Sequence, residues 1–150
     1  MRCGSAGIAL IDKWEGDKLT AYLCPAGKLT ISRGVTGSSV HPGMVITQAQ
    51  SDAMFATERL PREAALTGLL HDAPTTQNQF DAMFSLMWNI GQANFASSTL
   101  LRCHLAHDYV GAAKSFRKWI YAHVKGVGTI LPGLVSRRAD EARLYSGEYA

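Results

Sequence analysis

The sequence predicts an α+β fold: one short helix, a small β lobe over about residues 17–45, and a larger helical region that runs almost to the end. Three observations predict it. The helical period is lost between Asp17 and Val45, where short apolar runs at 19–23 and 29–31 flank Pro25-Ala26-Gly27, and Gly34, Gly37, Pro42 and Gly43 punctuate the remainder. Two capping-box patterns, Thr47 with Gln50 and Thr76 with Gln79, each announce a helix after that region. Finally, Phe80, Met83, Phe84 and Met87 fall on one helical stripe that ends at Gly91, as a central buried helix requires.

The first helix is capped by Ser5, buries Ile8, Ile11 and Trp14, and stops at Gly16, so Glu15 lies in its last turn. Thr47 opens a long helix that Pro61 interrupts or kinks. Beyond Gly91, helices are predicted from about Ser97 to Ala106, from Asp108 to about Ala122, and from Ser136 to Ser146. Residues 124–133, VKGVGTILPG, read as a Gly-rich connector. At 150 residues and 47% hydrophobic, the chain makes one domain, 1–150, with 1–16 and 46–150 helical.

The net charge is +3, and residues 101–150 carry eight Lys and Arg against four acids, while the first hundred carry seven against eight. This mild basic end suits an anionic polymer. Cys3, Cys24 and Cys103 are odd in number and lack CxxC spacing, so they form neither a disulfide framework nor a zinc site. No cofactor motif occurs: GxxxxGK[ST] and GxGxxG are both absent. His104 and His107 have metal-compatible spacing but no third ligand nearby, and are expected at the surface. The N-terminal apolar run is broken by Asp12 and Lys13, too short for a signal peptide or a spanning segment.

The stretch 14–31, WEGDKLTAYLCPAGKLTI, gathers Glu15, Cys24 and Thr30 around a turn. A glutamate at a helix end beside an apolar ring can serve as proton donor. A turn cysteine can attack carbon or hold a water, and a hydroxyl on the returning strand can orient that water. A helix end followed by an ordinary hairpin accounts for the same spacing. Residue types alone leave both open.

The words around these residues carry more. Glu15-Gly16, Ala21-Tyr22, Cys24, Gly27, Thr30-Ile31 and Gly34 resemble the phage-type lysozymes, glycoside hydrolase family 24, the muramidase endolysins. That family pattern has a Glu, then an Asp or Cys nine residues on, then a Thr six further. His41-Pro42-Gly43-Met44, Gln77 to Ala82, Asn89-Ile90-Gly91, Ser97 to Arg102, Trp119, Leu131 to Leu134 and Arg137-Arg138 resemble its later segments in order.

The resemblance implies a lysozyme-like fold, with a small N-terminal β-hairpin lobe, a long connecting helix, a larger helical lobe and a glycan cleft. It implies hydrolysis of the β-1,4 bond between N-acetylmuramic acid and N-acetylglucosamine, with Glu15, Cys24 and Thr30 catalytic. Asn89, Ser98 and Thr99 are candidates to bind the glycan, though each also suits a helix-end polar group or cap. Arg137 and Arg138 either approach the catalytic Glu or are solvated helix charges. The expected partner is peptidoglycan, with no nucleic acid, no membrane insertion, no metal and a monomeric chain. Synthesis in the host cytoplasm with holin-type release to the periplasmic wall follows from the same resemblance.

Most members read Thr-Ile-Gly-Tyr-Gly-His-Thr where this chain reads Thr30-Ile31-Ser32-Arg33-Gly34-Val35-Thr36. If the glycine position requires close backbone approach or positive φ, Ser32 costs about 1 kcal/mol. Arg33 points to peptide-stem carboxylates or to water, and water is the expectation. Val35 removes any polar contact of the family His. This broken motif motivates a rival, a muramidase fold that binds peptidoglycan without cutting it. Two others are a cysteine hydrolase pairing Cys24 with His41 and a nucleic-acid binder using the basic end.

Overall fold

The computed structural model describes residues 1–148, except for the side chain of Val124. In chain order the elements are α1 (Ser5–Glu15), β1 (Lys18–Leu23), β2 (Leu29–Ser32), α2 (Gln48–Leu70), α3 (Gln77–Ile90), α4 (Gln92–Ala96), α5 (Thr99–Leu105), α6 (Tyr109–Ser115), a 3-10 turn (Phe116–Lys118), β3 (Tyr121–Val124), β4 (Val127–Ile130) and α7 (Pro132–Tyr145). Residues 11–62 form one compact unit, and residues 1–10 with 63 onward form the other.

In the smaller unit β1 and β2 pair antiparallel, with Tyr22 opposite Thr30 and an irregularity between Lys18 and Tyr22. The chain returns past β1 through the Thr20–Val45 bridge, where Ala21 N–H donates to the Met44 carbonyl at 2.9 Å. A core of Ile31, Val40 and Ile46, packed by Leu19, Leu29, Met44 and Met54, holds this sheet. The Thr47–Gln50 box forms as expected, Gln50 N–H donating to Thr47 Oγ1 and the Gln50 side chain accepting from Thr47 N–H. α2 then runs unbroken through Pro61, which is inside the helix rather than at its end.

The larger unit is built on α3. Every residue from Phe80 to Met87 is buried, a wider face than the four-residue stripe anticipates. Two of these are polar, and each has work to do. Asp81 accepts from Gly4 N–H at 2.8 Å and Gly7 N–H at 3.1 Å, so a carboxylate on α3 caps α1 and not Ser5, which is already the first helical residue. Gly7 must be glycine here, because a Cβ would lie 2.5 Å from Cys3 Sγ and 2.9 Å from Asp81 Cβ. Ser85 is the second, and it bonds Glu141 of α7.

The chain after α3 departs from expectation at three places, one of them α7, which starts at Pro132 rather than Ser136. Residues 92–96 form the separate helix α4, and α5 starts at Thr99. Residues 121–130 are a hairpin, not the end of a helix and a connector. Lys125 and Gly126 have φ of 50° and 78°, the two left-handed positions that a tight primed turn needs. A Lys-Gly pair is a weaker hairpin signal than Asn-Gly, which is why the turn is hard to read.

His104 is fully buried, against its expected surface position. Its ring nitrogens meet Thr75 Oγ1 at 2.8 Å and the Tyr145 hydroxyl at 2.5 Å, with Tyr109 edge-on at 5.3 Å. Burial pushes its pKa down, and the nearby His107 adds to this. A folded-state pKa below the unfolded value means that the unfolded chain binds the proton first. Stability is therefore lost as pH falls below about 6.5 and the loss is complete below the folded pKa. Thermal melts between pH 7.5 and 5 should show Tm falling with acidity, and His104→Gln should flatten that slope. An unchanged slope would remove His104 as its source.

Candidate active site

Glu15 is the last residue of α1, half-buried, and Gly16 at φ 69° turns the chain away while its N–H donates to the Asp12 carbonyl at 3.1 Å. Cys24 follows β1 directly. Its own N–H donates to the Lys28 carbonyl at 2.9 Å, and its carbonyl accepts from Gly27 N–H at 2.8 Å, which closes the turn. Thr30 sits on β2, 3% exposed, and its hydroxyl donates to the Lys28 carbonyl at 2.9 Å.

These residues share surroundings. The backbone N–H of Lys28 stabilises the Cys24 thiolate, burial opposes it, and the Thr30 hydroxyl, the Ala26 N–H and the Lys28 charge add to it, leaving the thiol pKa below its ordinary value. Burial raises the Tyr22 phenol, and the charges of Glu15 and Cys24 raise it further. Tyr22 also faces Thr30 across the sheet. Tyr22 is thus paired with Thr30 in the sheet and lies within the electrostatic reach of both Glu15 and Cys24. The arrangement offers a carboxyl group, a thiolate of enhanced availability and a fixed hydroxyl, residue types that can work on an acetal carbon. His41, needed by the cysteine-hydrolase alternative, is exposed with Nδ1 at 3.3 Å from the Pro42 carbonyl.

The same unit holds a charged nest that has no signature in the local sequence. Arg33 is 9% exposed and does not point to water as expected. Its Nε donates to Asp12 at 2.7 Å and Nη1 to Asp52 at 2.9 Å, Nη2 lies 3.6 Å from Asp17, and the guanidinium covers the Phe55 ring at 4.8 Å. Burial pulls the Asp17 carboxyl up, but donation from Gln48 and Ser51 and the Arg33 charge outweigh it and hold it below the usual range. The Arg33 bond, with help from Gln48, lowers Asp52 as well. Ser32 has φ 58°, as the family glycine position implies, and its hydroxyl meets Ser51 Oγ at 2.6 Å, which offsets part of the conformational cost. Val35 is buried and bridges back to Ile31.

In the larger unit, Arg137 and Arg138 are 3% and 1% exposed, so neither is a solvated charge. Arg138 Nε lies 2.7 Å from Glu141 Oε2, and its Nη2 donates to Glu141 Oε1 at 2.9 Å. Arg137 Nε donates to the same Oε1 at 3.1 Å. Burial pushes the Glu141 carboxyl up, against the pull of both guanidiniums. Asn89 is exposed, and its Oδ1 accepts from Arg138 Nη1 at 2.9 Å. Ser98 is buried and caps α5 through Leu101 N–H. Thr99 is half-buried and accepts from Arg102 at 3.0 Å. Glu141 had no local signal beyond an i,i+3 and i,i+4 spacing to the arginines.

The phage lysozyme family model matches residues 12–141 of this chain, from before Glu15 to Glu141. The chain belongs to the phage lysozyme family. This phage lysozyme is 43% identical over 145 residues to the endolysin of Acyrthosiphon pisum secondary endosymbiont phage 1, covering 97% of the chain and 98% of that relative. It is 36% identical over 149 residues to the endolysin of Salmonella phage P22, with 97% and 98% covered. Among solved structures, the muramidase domain of SpmX from Asticaccaulis excentricus superposes with a TM-score of 0.87 at 35% identity, over 96% of this chain and 97% of that one. The lysozyme-like α+β fold is therefore established, and the protein is a muramidase-type glycoside hydrolase that acts on peptidoglycan. Among the described residues, no helix is long and apolar enough to cross a membrane.

Proposed function

We propose that this phage lysozyme is an endolysin that hydrolyses the β-1,4 bond between N-acetylmuramic acid and N-acetylglucosamine and so lyses the host. What supports this reading is the β1–β2 turn, where the Thr30 hydroxyl and the turn amides favour the Cys24 thiolate and the charges of Glu15 and Cys24 both act on the Tyr22 phenol. Glu15 protonates the leaving glycosidic oxygen. Cys24 acts on the opposite face of the sugar, as nucleophile or as holder of the attacking water, and Thr30 fixes the thiolate or that water. Asn89 and Thr99, which keep exposed surface, bond acetamido or hydroxyl groups of the glycan. Ser98, Arg137 and Arg138 hold the scaffold that presents them.

In this reading the two units act as one monomeric catalytic domain with no nucleic-acid partner. The protein is made in the host cytoplasm and reaches the periplasmic wall by holin-type release. The departure at Ser32-Arg33-Gly34-Val35 does not favour a binding-only module, because each of Ser32, Arg33 and Val35 has a packing or bonding role.

The test is the product. Outer-membrane-stripped Gram-negative walls treated with the purified protein should clear and yield new reducing ends at muramic acid. New ends at glucosamine, or binding without new ends, would overturn the assignment of the bond or of the activity.

A further inference from the structure

We infer that Arg33 is a positioning residue for Glu15, strapping the chain on both sides of that carboxylate to the start of α2. The inference rests on the assignment of Glu15 as proton donor. Asp12 lies three residues before Glu15 on α1, and Asp17 lies two after it, beyond the Gly16 turn. Asp52 belongs to the first turns of α2. Arg33 addresses all three at once, through Nε to Asp12 at 2.7 Å, Nη2 to Asp17 at 3.6 Å and Nη1 to Asp52 at 2.9 Å.

Helix ends fray, and Glu15 occupies one whose next residue is a left-handed glycine. Proton transfer needs the carboxylate placed to within a few tenths of an ångström, which begins with the backbone that carries it. The strap restrains that backbone on both sides of Glu15. Asp17 is further tied to α2 by Ser51 Oγ at 2.5 Å and Gln48 Nε2 at 2.6 Å, and Gln48 also reaches Asp52 at 3.0 Å. Ser32, the residue before Arg33, locks to Ser51 as well. With its side chain only 11% exposed, Arg33 is not an ordinary surface ion pair.

An arginine suits this place because its planar fork presents donors in several fixed directions, while a lysine ammonium is one point charge on a flexible stem. Three carboxylates share this guanidinium, so its removal also leaves like charges facing one another beside the proton donor. A purely structural Arg33 would affect the stability of the unit and leave the chemistry of the folded protein alone. A positioning Arg33 affects turnover.

The experiment measures the release of reducing ends against wall concentration for Arg33→Gln, Arg33→Lys, Asp12→Asn and Asp52→Asn, well below the Tm of each, with Glu15→Gln as control. Arg33→Gln should lower kcat by about 10- to 100-fold, with KM changed less than about twofold. Arg33→Lys should recover only part of the loss. Asp12→Asn, which cuts the strap on the Glu15 helix, should cost about tenfold more kcat than Asp52→Asn, even where their Tm losses match. If Arg33→Gln does not fold, the Asp12 and Asp52 pair decides alone. Parental kcat in the folded Arg33 and Asp12 variants, with only Tm lowered, would overturn the inference while an inactive Glu15→Gln left the proposed function standing. An active Glu15→Gln would remove both.

Discussion

Glu141→Ala is expected to lower the Tm by roughly 6–20 °C. Removing one partner from a buried ion pair costs about 3–5 kcal/mol, and a domain of this size shifts by about 2–4 °C per kcal/mol. Glu141 is fully buried and faces two arginines that are themselves 3% and 1% exposed, so its loss strands two guanidiniums without their anion. Ser85 on α3 and Asn89, four residues on, bond into the same group, so the damage spreads to the packing of α7 on α3. The value of the cluster differs from the cost of breaking it. Replacing Arg137, Arg138 and Glu141 together with apolar residues of similar volume should cost less than Glu141→Ala alone, since desolvating three charges consumes much of what their attraction returns. Calorimetry on the two variants checks both statements. A shift under about 2 °C for Glu141→Ala would mean that the arginines find water or another anion. Loss of activity on charge reversal at Arg138 is then expected to come through packing.

This cluster also marks how far the sequence could be read. Features that depend on neighbours in the chain were legible: the stop at Gly16 and the two capping boxes follow from residues within four positions of one another, and the β lobe from the local loss of helical period. The intervals Glu15 to Cys24 to Thr30 were legible as a pattern, although spacing could not say that Tyr22 pairs with Thr30 or feels the charges of Glu15 and Cys24. What stayed hidden is polar and long-range. Ser85 meets Glu141 across 56 residues, Asp81 caps a helix start 77 residues away, and Arg33 finds Asp12 across 21. A charged residue is exposed in most contexts, so period and composition favour the surface for Arg33 and His104 and leave Arg137 and Arg138 open unless a buried partner is known. The 121–130 hairpin was hidden for another reason, because its turn pair Lys125-Gly126 lacks a strong turn signature and its strands are only four residues each.

Glu15→Gln and Cys24→Ala should each reduce the rate of reducing-end release by about 10²- to 10⁴-fold, the span that a positioned acid or base contributes, without a matching loss of stability. Glutamine keeps the shape of Glu15 and removes its proton. Alanine at position 24 removes the thiolate that the Lys28 amide and the Thr30 hydroxyl hold below its ordinary pKa. Because a lowered pKa populates the thiolate at lower pH, iodoacetamide should inactivate the enzyme with a pH midpoint below that of an ordinary thiol, and the reaction should be faster than at the buried Cys3. Cys24→Asp then separates two chemistries. If the role of position 24 is to orient a water by general-base action, a carboxylate performs it, activity returns, and the new reducing end forms with inverted configuration at the anomeric carbon. If the thiolate forms a glycosyl thioether that is later hydrolysed, configuration is retained, and denaturation during turnover traps a sugar on Cys24 that mass spectrometry detects. Parental rates in Cys24→Ala beside an inactive Glu15→Gln would exclude both routes and leave Thr30 as the group that holds the attacking water.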